Sequence, residues 1–118
     1  MQIETKILED VAVGLGVDTV TDLDVIGFSF TPTAVLDVNI TAWASGITEG
    51  QAAGEGVFWF HSLFGGPARK SKEAGAADIA ADVHIIKATP GANKVTVRVA
   101  NYNQINYYRI TCTAARSG

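Results

Sequence analysis

Cysteine is nearly absent from this chain of 118 residues. The single cysteine, Cys112, excludes a disulfide within the chain, and nothing in the cysteine content indicates an oxidising compartment. Cys112 falls at an inward-facing position of an alternating run near the end of the sequence. A small buried residue is expected at such a position, so we predict that this thiol lies in the core.

Charge of either sign is also scarce, because only 18% of the residues are charged while 47% are hydrophobic. Soluble domains average about 25% charged residues. In a small domain with much surface for its volume, this shortage predicts that other chains cover part of the surface. The net charge is -3 and the lysines and arginines are concentrated only around 69–72, which argues against nucleic acid as a partner.

Long apolar runs are missing as well. No stretch approaches the length of a transmembrane helix, so no membrane partner is expected. The first residues lack the basic start and the apolar block of a signal peptide. We therefore expect a protein that is made in the cytoplasm.

Patterns that indicate catalysis or metal binding do not occur. There is no Gly-x-Ser-x-Gly nucleophile motif. His61 and His84 each lie in a predicted strand without a second ligand at the spacing of a zinc site. Asp18, Asp22 and Asp24 do not match the frame of a calcium-binding loop. We expect no enzymatic activity, no metal and no cofactor.

The strongest pattern that is present is an alternation of apolar and polar residues. It runs through Val95–Val99 and again through Tyr108–Ala114, with a polar bend between them. A period of two is typical of strands with one buried face, and the short bend predicts that the two runs pair as an antiparallel hairpin. Between Val35 and Ala44 the same alternation places Leu36 with the buried residues.

Further strands follow from local signals. A phase slip at Gly27 predicts a bulge. Residues 57–64 are apolar on both faces, which is typical of a central strand or of a strand pressed against a partner. Residues 68–72 predict a short, charged edge strand. In all, about seven strands follow from Thr19 onward, at a spacing that is typical of a β-sandwich.

We therefore predict an all-β fold, a single antiparallel β-sandwich that is jelly-roll-like or, alternatively, immunoglobulin-like. Residues 19–118 form the sandwich domain, and residues 1–18 form a short N-terminal arm that pairs with a sheet edge or with a neighbouring subunit. Because the arm precedes the sandwich domain, we expect the sandwich to stay folded when residues 1–17 are deleted.

Four aromatic or imidazole side chains are the candidate site. Trp43 and Trp59 occupy polar-phase positions of their strands, and if these strands are neighbours, both indoles share one face with His61 and Tyr107. An indole combines a large apolar area with one hydrogen-bond donor, which suits sugars and protein partners. Two interpretations remain open: a subunit interface or core face, and a ligand platform completed by residues 46–55.

The order of these segments resembles the small β-sandwich modules of tailed-phage structural proteins. The resemblance rests on Val35–Ala44, the Gly/Ala-rich loop that follows it, and Gly56–Phe60. It continues in Asn93–Val99 and, after a polar bend, in Tyr107–Cys112. The likeness extends from about Thr19 to Ala114 and is one of pattern, not of an active-site motif.

The resemblance implies a virion structural protein, commonly a homotrimer. Because no long shaft stands before the predicted sandwich, the chain is more similar to a capsid decoration (cement) protein that stabilises the head through subunit contacts. Its partners would be the major capsid protein or other virion subunits, and its location the virion, assembled in the host cytoplasm. The alternative is a head- or tail-fibre or spike module that binds a receptor or a carbohydrate.

Overall fold

The computed structural model of the chain describes residues 1–10, 19–45, 56–65, 69–70, 83–101 and 107–117, with the backbone alone at 43–45, 56–59 and 69–70. Within these residues the fold is all-β, as predicted, and two antiparallel sheets pack against each other. The strands are β1 (Gln2–Asp10), β2 (Thr19–Ile26), β3 (Ala34–Ser45), β4 (Gly56–Ser62), β5 (Arg69–Lys70), β6 (Val83–Gly91), β7 (Lys94–Asn101) and β8 (Tyr107–Arg116).

Strand order distinguishes the two predicted topologies. The larger sheet has the order β1-β8-β3-β4-β5 and the smaller sheet the order β2-β7-β6. The first strand pairs with the last and the second with the second to last, a nested arrangement that resembles a jelly roll. In an immunoglobulin sandwich the first two strands lie side by side in one sheet. The pairing therefore favours the jelly-roll-like topology, although β3–β4 and β6–β7 are hairpins within one sheet each.

The predicted hairpin between the last two strands is wrong. β7 lies in the smaller sheet between β2 and β6, whereas β8 lies in the larger sheet between β1 and β3. Both strands alternate as predicted, and both direct their apolar residues into the same core. Alternation fixes which face of a strand is buried but not the sheet to which the strand belongs, so the sequence pattern fits either arrangement.

The core lies between the two sheets and is formed by their inward-facing residues. Valine and isoleucine predominate on the smaller sheet, and the larger sheet contributes isoleucine, alanine, tyrosine and Cys112. The buried residues of the whole core are Val25, Phe28, Phe30, Val38, Ile40, Ala42, Val83, Ile85, Val95, Val97, Val99, Tyr108, Ile110, Cys112 and Ala114.

β1 is an edge strand of the larger sheet. Its residues pair with β8 from Gln2 opposite Arg116 to Asp10 opposite Tyr108, and Leu8 packs against the core. Of the two places predicted for the arm, the first ten residues thus occupy a sheet edge of their own chain. Residues 11–18 lie outside the described part of the chain.

The phase slip at Gly27 does not mark a bulge. β2 ends at Ile26, and Gly27 has a φ of 93°, a left-handed conformation that glycine adopts without steric cost. Phe28 and Phe30 follow in irregular backbone and insert into the core. Asn93 fixes this segment, because its side-chain amide donates to the carbonyl oxygen of Phe28 at 3.0 Å.

A bulge occurs instead at Leu36, where the register between β3 and β8 shifts between Val35 and Asp37. Leu36 is 46% exposed, so its predicted place on the buried face is wrong. The bulge adds one residue to β3 and displaces Leu36 from the alternation, while Val38 and Ile40 keep their buried positions.

β4 has the predicted central position, between β3 and β5, and β5 is the short edge strand expected near residues 68–72. The expectation that the apolar run is buried on both faces is wrong for its described part. Phe60 is 43% exposed on the outer face of the larger sheet, and Phe64 is exposed in the turn after β4. The other predicted interpretation, a face pressed against a partner, stays a prediction.

Cys112 is fully buried, as predicted. Burial, with a smaller contribution from the Asp37 carboxylate, raises the pKa of the thiol to about 11. Because the thiolate is the reactive form, we expect Ellman's reagent at pH 8 to label the folded protein at least about 100-fold more slowly than the chain unfolded in guanidinium chloride. Equal rates for the folded and unfolded chain, followed by absorbance, would contradict the buried position.

Candidate functional site

His61 points between the two sheets. It is the cross-strand neighbour of buried Ile40, and its Nδ1 atom accepts a hydrogen bond of 2.8 Å from the backbone N–H of Ile85 in β6. An accepting Nδ1 carries no proton, so the neutral ring has its proton on Nε2. The imidazole ring also contacts His84 edge-on, with ring centroids 6.2 Å apart. His61 therefore accepts a hydrogen bond from a backbone N–H on the outer edge of β6, and this bond links the two sheets.

Tyr107 lies on the opposite, outer face of the larger sheet. Its hydroxyl donates to the Glu9 carboxylate at 2.9 Å, and Arg109 donates to the same oxygen at 2.9 Å. The bonds from Arg109 and then Tyr107 hold the pKa of Glu9 below its usual value, and the bond to Glu9 raises the pKa of Tyr107. This cluster ties β1 to β8 on the surface of the sheet.

The two tryptophans occupy positions of opposite phase in the larger sheet. Trp43 is opposite Phe58 on β4 and Tyr107 on β8, whereas Trp59 is opposite Ala42. Neither tryptophan side chain belongs to the described part of the structure. The register puts Trp43 in phase with Tyr107 and Trp59 in phase with His61, so the four candidates do not share one face.

An open groove lies on the larger sheet where β3 meets β4. It has a volume of about 330 Å³ and is lined mainly by Asn39, Thr41, Phe60, Ser62 and Gly65, with Ile40 and His61 at its floor. The Asp37 carboxylate accepts hydrogen bonds from Asn39 Nδ2 at 2.9 Å and from Ser62 Oγ at 3.4 Å. The Asn39 amide and the Ser62 hydroxyl, both held by Asp37, thus line the groove together with an exposed aromatic ring. We call this site the β3–β4 groove.

Sequence analysis did not single out this groove. The alternation of β3 does place Asp37, Asn39 and Thr41 together on its polar face, which is the signal that was available. The contribution of β4 had no such signal, because its run is apolar at nearly every position. Only the pairing of Thr41 with Phe60 and of Asn39 with Ser62 brings the two strands' residues together.

The outer face of the smaller sheet carries charges that are paired across strands. Asp22 accepts from Arg98 Nε at 2.8 Å, and Asp24 accepts from Thr96 Oγ1 at 2.7 Å and from Lys94 Nζ at 3.2 Å. These bonds lower the pKa of both carboxyl groups. The acids considered for calcium binding are therefore engaged by β7, apart from Asp18, which lies outside the described residues.

Exposed apolar residues concentrate where the edge strands β1 and β2 lie next to each other. Ile3 and Ile7 project from the outer face of the larger sheet, and Ile7 is 61% exposed. Val20 and Ile26 project from the outer face of the smaller sheet and are also exposed. We call this side of the sandwich, defined by these four residues, the β1–β2 margin.

In the portion of the chain that the structure covers, no three His, Cys, Asp or Glu side chains are grouped to hold a metal ion. The same portion has no helix that is both long and apolar enough to cross a membrane. Comparison of the chain with models of known protein families, with curated protein sequences and with solved structures finds no match.

Proposed function

We propose that the chain is a virion structural protein of the capsid-decoration type, which forms a homotrimer and stabilises a shell through contacts with the major capsid protein. The observation that supports this proposal is the β1–β2 margin. It places exposed isoleucine and valine on both outer faces of one side of the sandwich. This distribution fits a protein that works by binding other subunits.

The physical argument concerns the neighbours that an edge strand lacks. Cross-strand side-chain pairs stabilise a sheet, and an edge strand has such pairs on one side only. A second sandwich that adds its strands to β1 and β2 supplies the missing neighbours on both faces at once. Covering one isoleucine stabilises the contact by up to about 3 kcal/mol, and rotational symmetry repeats the gain at every interface.

Lys6 makes this edge selective. Lys6 is opposite buried Cys112 in the register with β8, so it occupies an inward-phase position of β1. An inward-directed charge discourages indiscriminate pairing with other strands. Glu4, two residues before it, is already bound to the backbone N–H of Ser29 at 2.8 Å and to the hydroxyl of the same residue. Glu4 and Lys6 also attract each other electrostatically, so a partner strand that places a further positive charge beside Lys6 is disfavoured.

The variant Ile7→Lys tests the role of the β1–β2 margin. We expect light scattering after size-exclusion chromatography to give three times the 12.4 kDa chain mass for the unaltered protein and one chain mass for the variant. The reason is that a lysine at this position must be desolvated in the interface. Ile86→Lys is the matched control, because Ile86 is an exposed isoleucine on β6, an edge strand on the other side of the sandwich.

A monomeric unaltered protein, or a trimer that Ile86→Lys dissociates and Ile7→Lys does not, would contradict the role of this margin.

The decoration role needs a further measurement, which is cosedimentation of the chain with empty shells of a capsid protein encoded beside it. The alternative, a fibre or spike module that binds through Trp43, Trp59 and residues 46–55, stays a prediction, because these side chains lie outside the described part of the chain.

A further inference from the structure

We propose that the β3–β4 groove binds a neutral hexose unit of a carbohydrate. The groove lies between β3 and β4, is separated from β1 by β8 and is lined by none of the residues that define the β1–β2 margin, so this proposal does not depend on the assembly role of that margin. Sugars combine apolar C–H faces with closely spaced hydroxyl groups. A site that recognises them needs an aromatic surface and polar groups at its border.

The aromatic surface is supplied by Phe60. Its ring lines the groove and keeps 43% of its area exposed although it belongs to an internal strand of the sheet. Thr41, its cross-strand neighbour, presents a hydroxyl and a methyl group beside it. A pyranose ring placed on Phe60 would cover apolar area that water now contacts.

The polar groups are already oriented. Asp37 receives the Asn39 amide at 2.9 Å and the Ser62 hydroxyl at 3.4 Å, so these three side chains restrict one another's rotamers. The amide oxygen of Asn39, its second N–H and the lone pairs of the Ser62 hydroxyl oxygen are groups that pair with adjacent sugar hydroxyls. Side chains that are oriented before binding lose less conformational entropy when the ligand arrives.

Charge restricts the ligand class, and a volume of about 330 Å³ is enough for one hexose unit. Asp37 is hydrogen-bonded to the lining residues Asn39 and Ser62, so its negative charge lies close to the groove and disfavours uronic and sialic acids. The hydroxyl groups of Thr111 and Thr113 continue the polar surface on β8, opposite Asn39 and Asp37 in the register, so a second sugar unit can follow the first across the sheet.

The experiment is a titration of the full chain, labelled with 15N, followed by NMR. The probes are the methyl glycosides of glucose, galactose and mannose, N-acetylglucosamine, and glucuronate as the anionic counterpart. We expect saturable shifts of the backbone signals of Asn39, Thr41 and Ser62 with at least one neutral probe, at a Kd on the order of 1–10 mM. Glucuronate is expected to bind more weakly than glucose.

Two phenylalanine variants separate a site from a general surface effect. Phe60→Ala is expected to weaken binding by about tenfold, since it removes the stacking surface. Phe64→Ala is the control, because Phe64 is more exposed than Phe60 but does not line the groove, and it is expected to leave the affinity unchanged. Thermal unfolding of both variants establishes that they are folded.

The proposal is overturned if no neutral probe gives saturable shifts, or if the two phenylalanine variants lose affinity equally. A preference for glucuronate over glucose would contradict the charge argument and, with it, the assigned ligand class. If Phe60→Ala folds poorly, Asn39→Ala replaces it and is expected to produce a similar loss. None of these outcomes depends on whether the protein forms a trimer or binds a capsid.

Discussion

A chain that lacks residues 1–10 is expected to lose the cooperative unfolding transition of the sandwich. The deletion removes β1, which pairs with β8 along its whole length, and it removes Leu8 from the margin of the core. It also removes the Glu4 carboxylate that binds Ser29 after β2. Backbone hydrogen bonds contribute about 1 kcal/mol each and total stability is about 5–15 kcal/mol, so the loss is comparable to the whole.

Thermal unfolding followed by far-ultraviolet circular dichroism measures this effect. Ile86→Thr in the full chain is the control, because it keeps β1 and changes an exposed residue on β6 that lies outside the β1–β2 margin. We expect the control to stay within about 0.5 kcal/mol of the unaltered protein. A truncated chain that melts cooperatively near the temperature of the full chain would contradict this prediction. It would instead support the expectation that the sandwich folds without residues 1–17.

The second large effect is expected for Ile110→Ala. Ile110 is completely buried in β8, where its cross-strand neighbours are Leu8 on β1 and Ile40 on β3. Truncation removes apolar contacts and leaves a cavity that the surrounding strands cannot fully close. We expect a loss of about 2–5 kcal/mol in the free energy of unfolding, measured by urea denaturation.

Ile86→Ala is the matched control for this substitution. Ile86 is also an isoleucine in a strand, but it is 44% exposed and lies on β6, outside the β1–β2 margin. The expected change is within about 0.5 kcal/mol. Equal losses for the two variants would mean that Ile110 does not occupy the center of the packed core.

Sequence patterns predicted the parts of the fold that depend on neighbouring residues. Alternation in β3, β7 and β8 identified which residues face inward, apart from Leu36 at the bulge, and Cys112 was placed in the core for this reason. Charged residues around 69–72 identified the short edge strand β5. These features follow from side-chain chemistry at a period of two, which is present in the sequence itself.

Alternation alone did not predict which side chains of the candidate site share a face. The predicted aromatic group required Trp43 and Trp59 to be in phase once their strands are neighbours, but the register places Trp43 opposite Phe58 and Trp59 opposite Ala42. A shift of one residue moves every side chain of a strand to the other face. His61 consequently lies between the sheets, while the exposed position on β4 belongs to Phe60.

The sequence by itself determined an all-β chain whose strands bury one face, and a buried thiol. The tertiary structure alone decided that β7 and β8 belong to different sheets, that β1 completes the larger sheet, and that Asn39 and Ser62 meet beside Phe60. The physical reason is the separation along the chain of the residues that set each feature. Alternation is set by adjacent residues, whereas partner choice and register depend on contacts between strands that are distant in the chain.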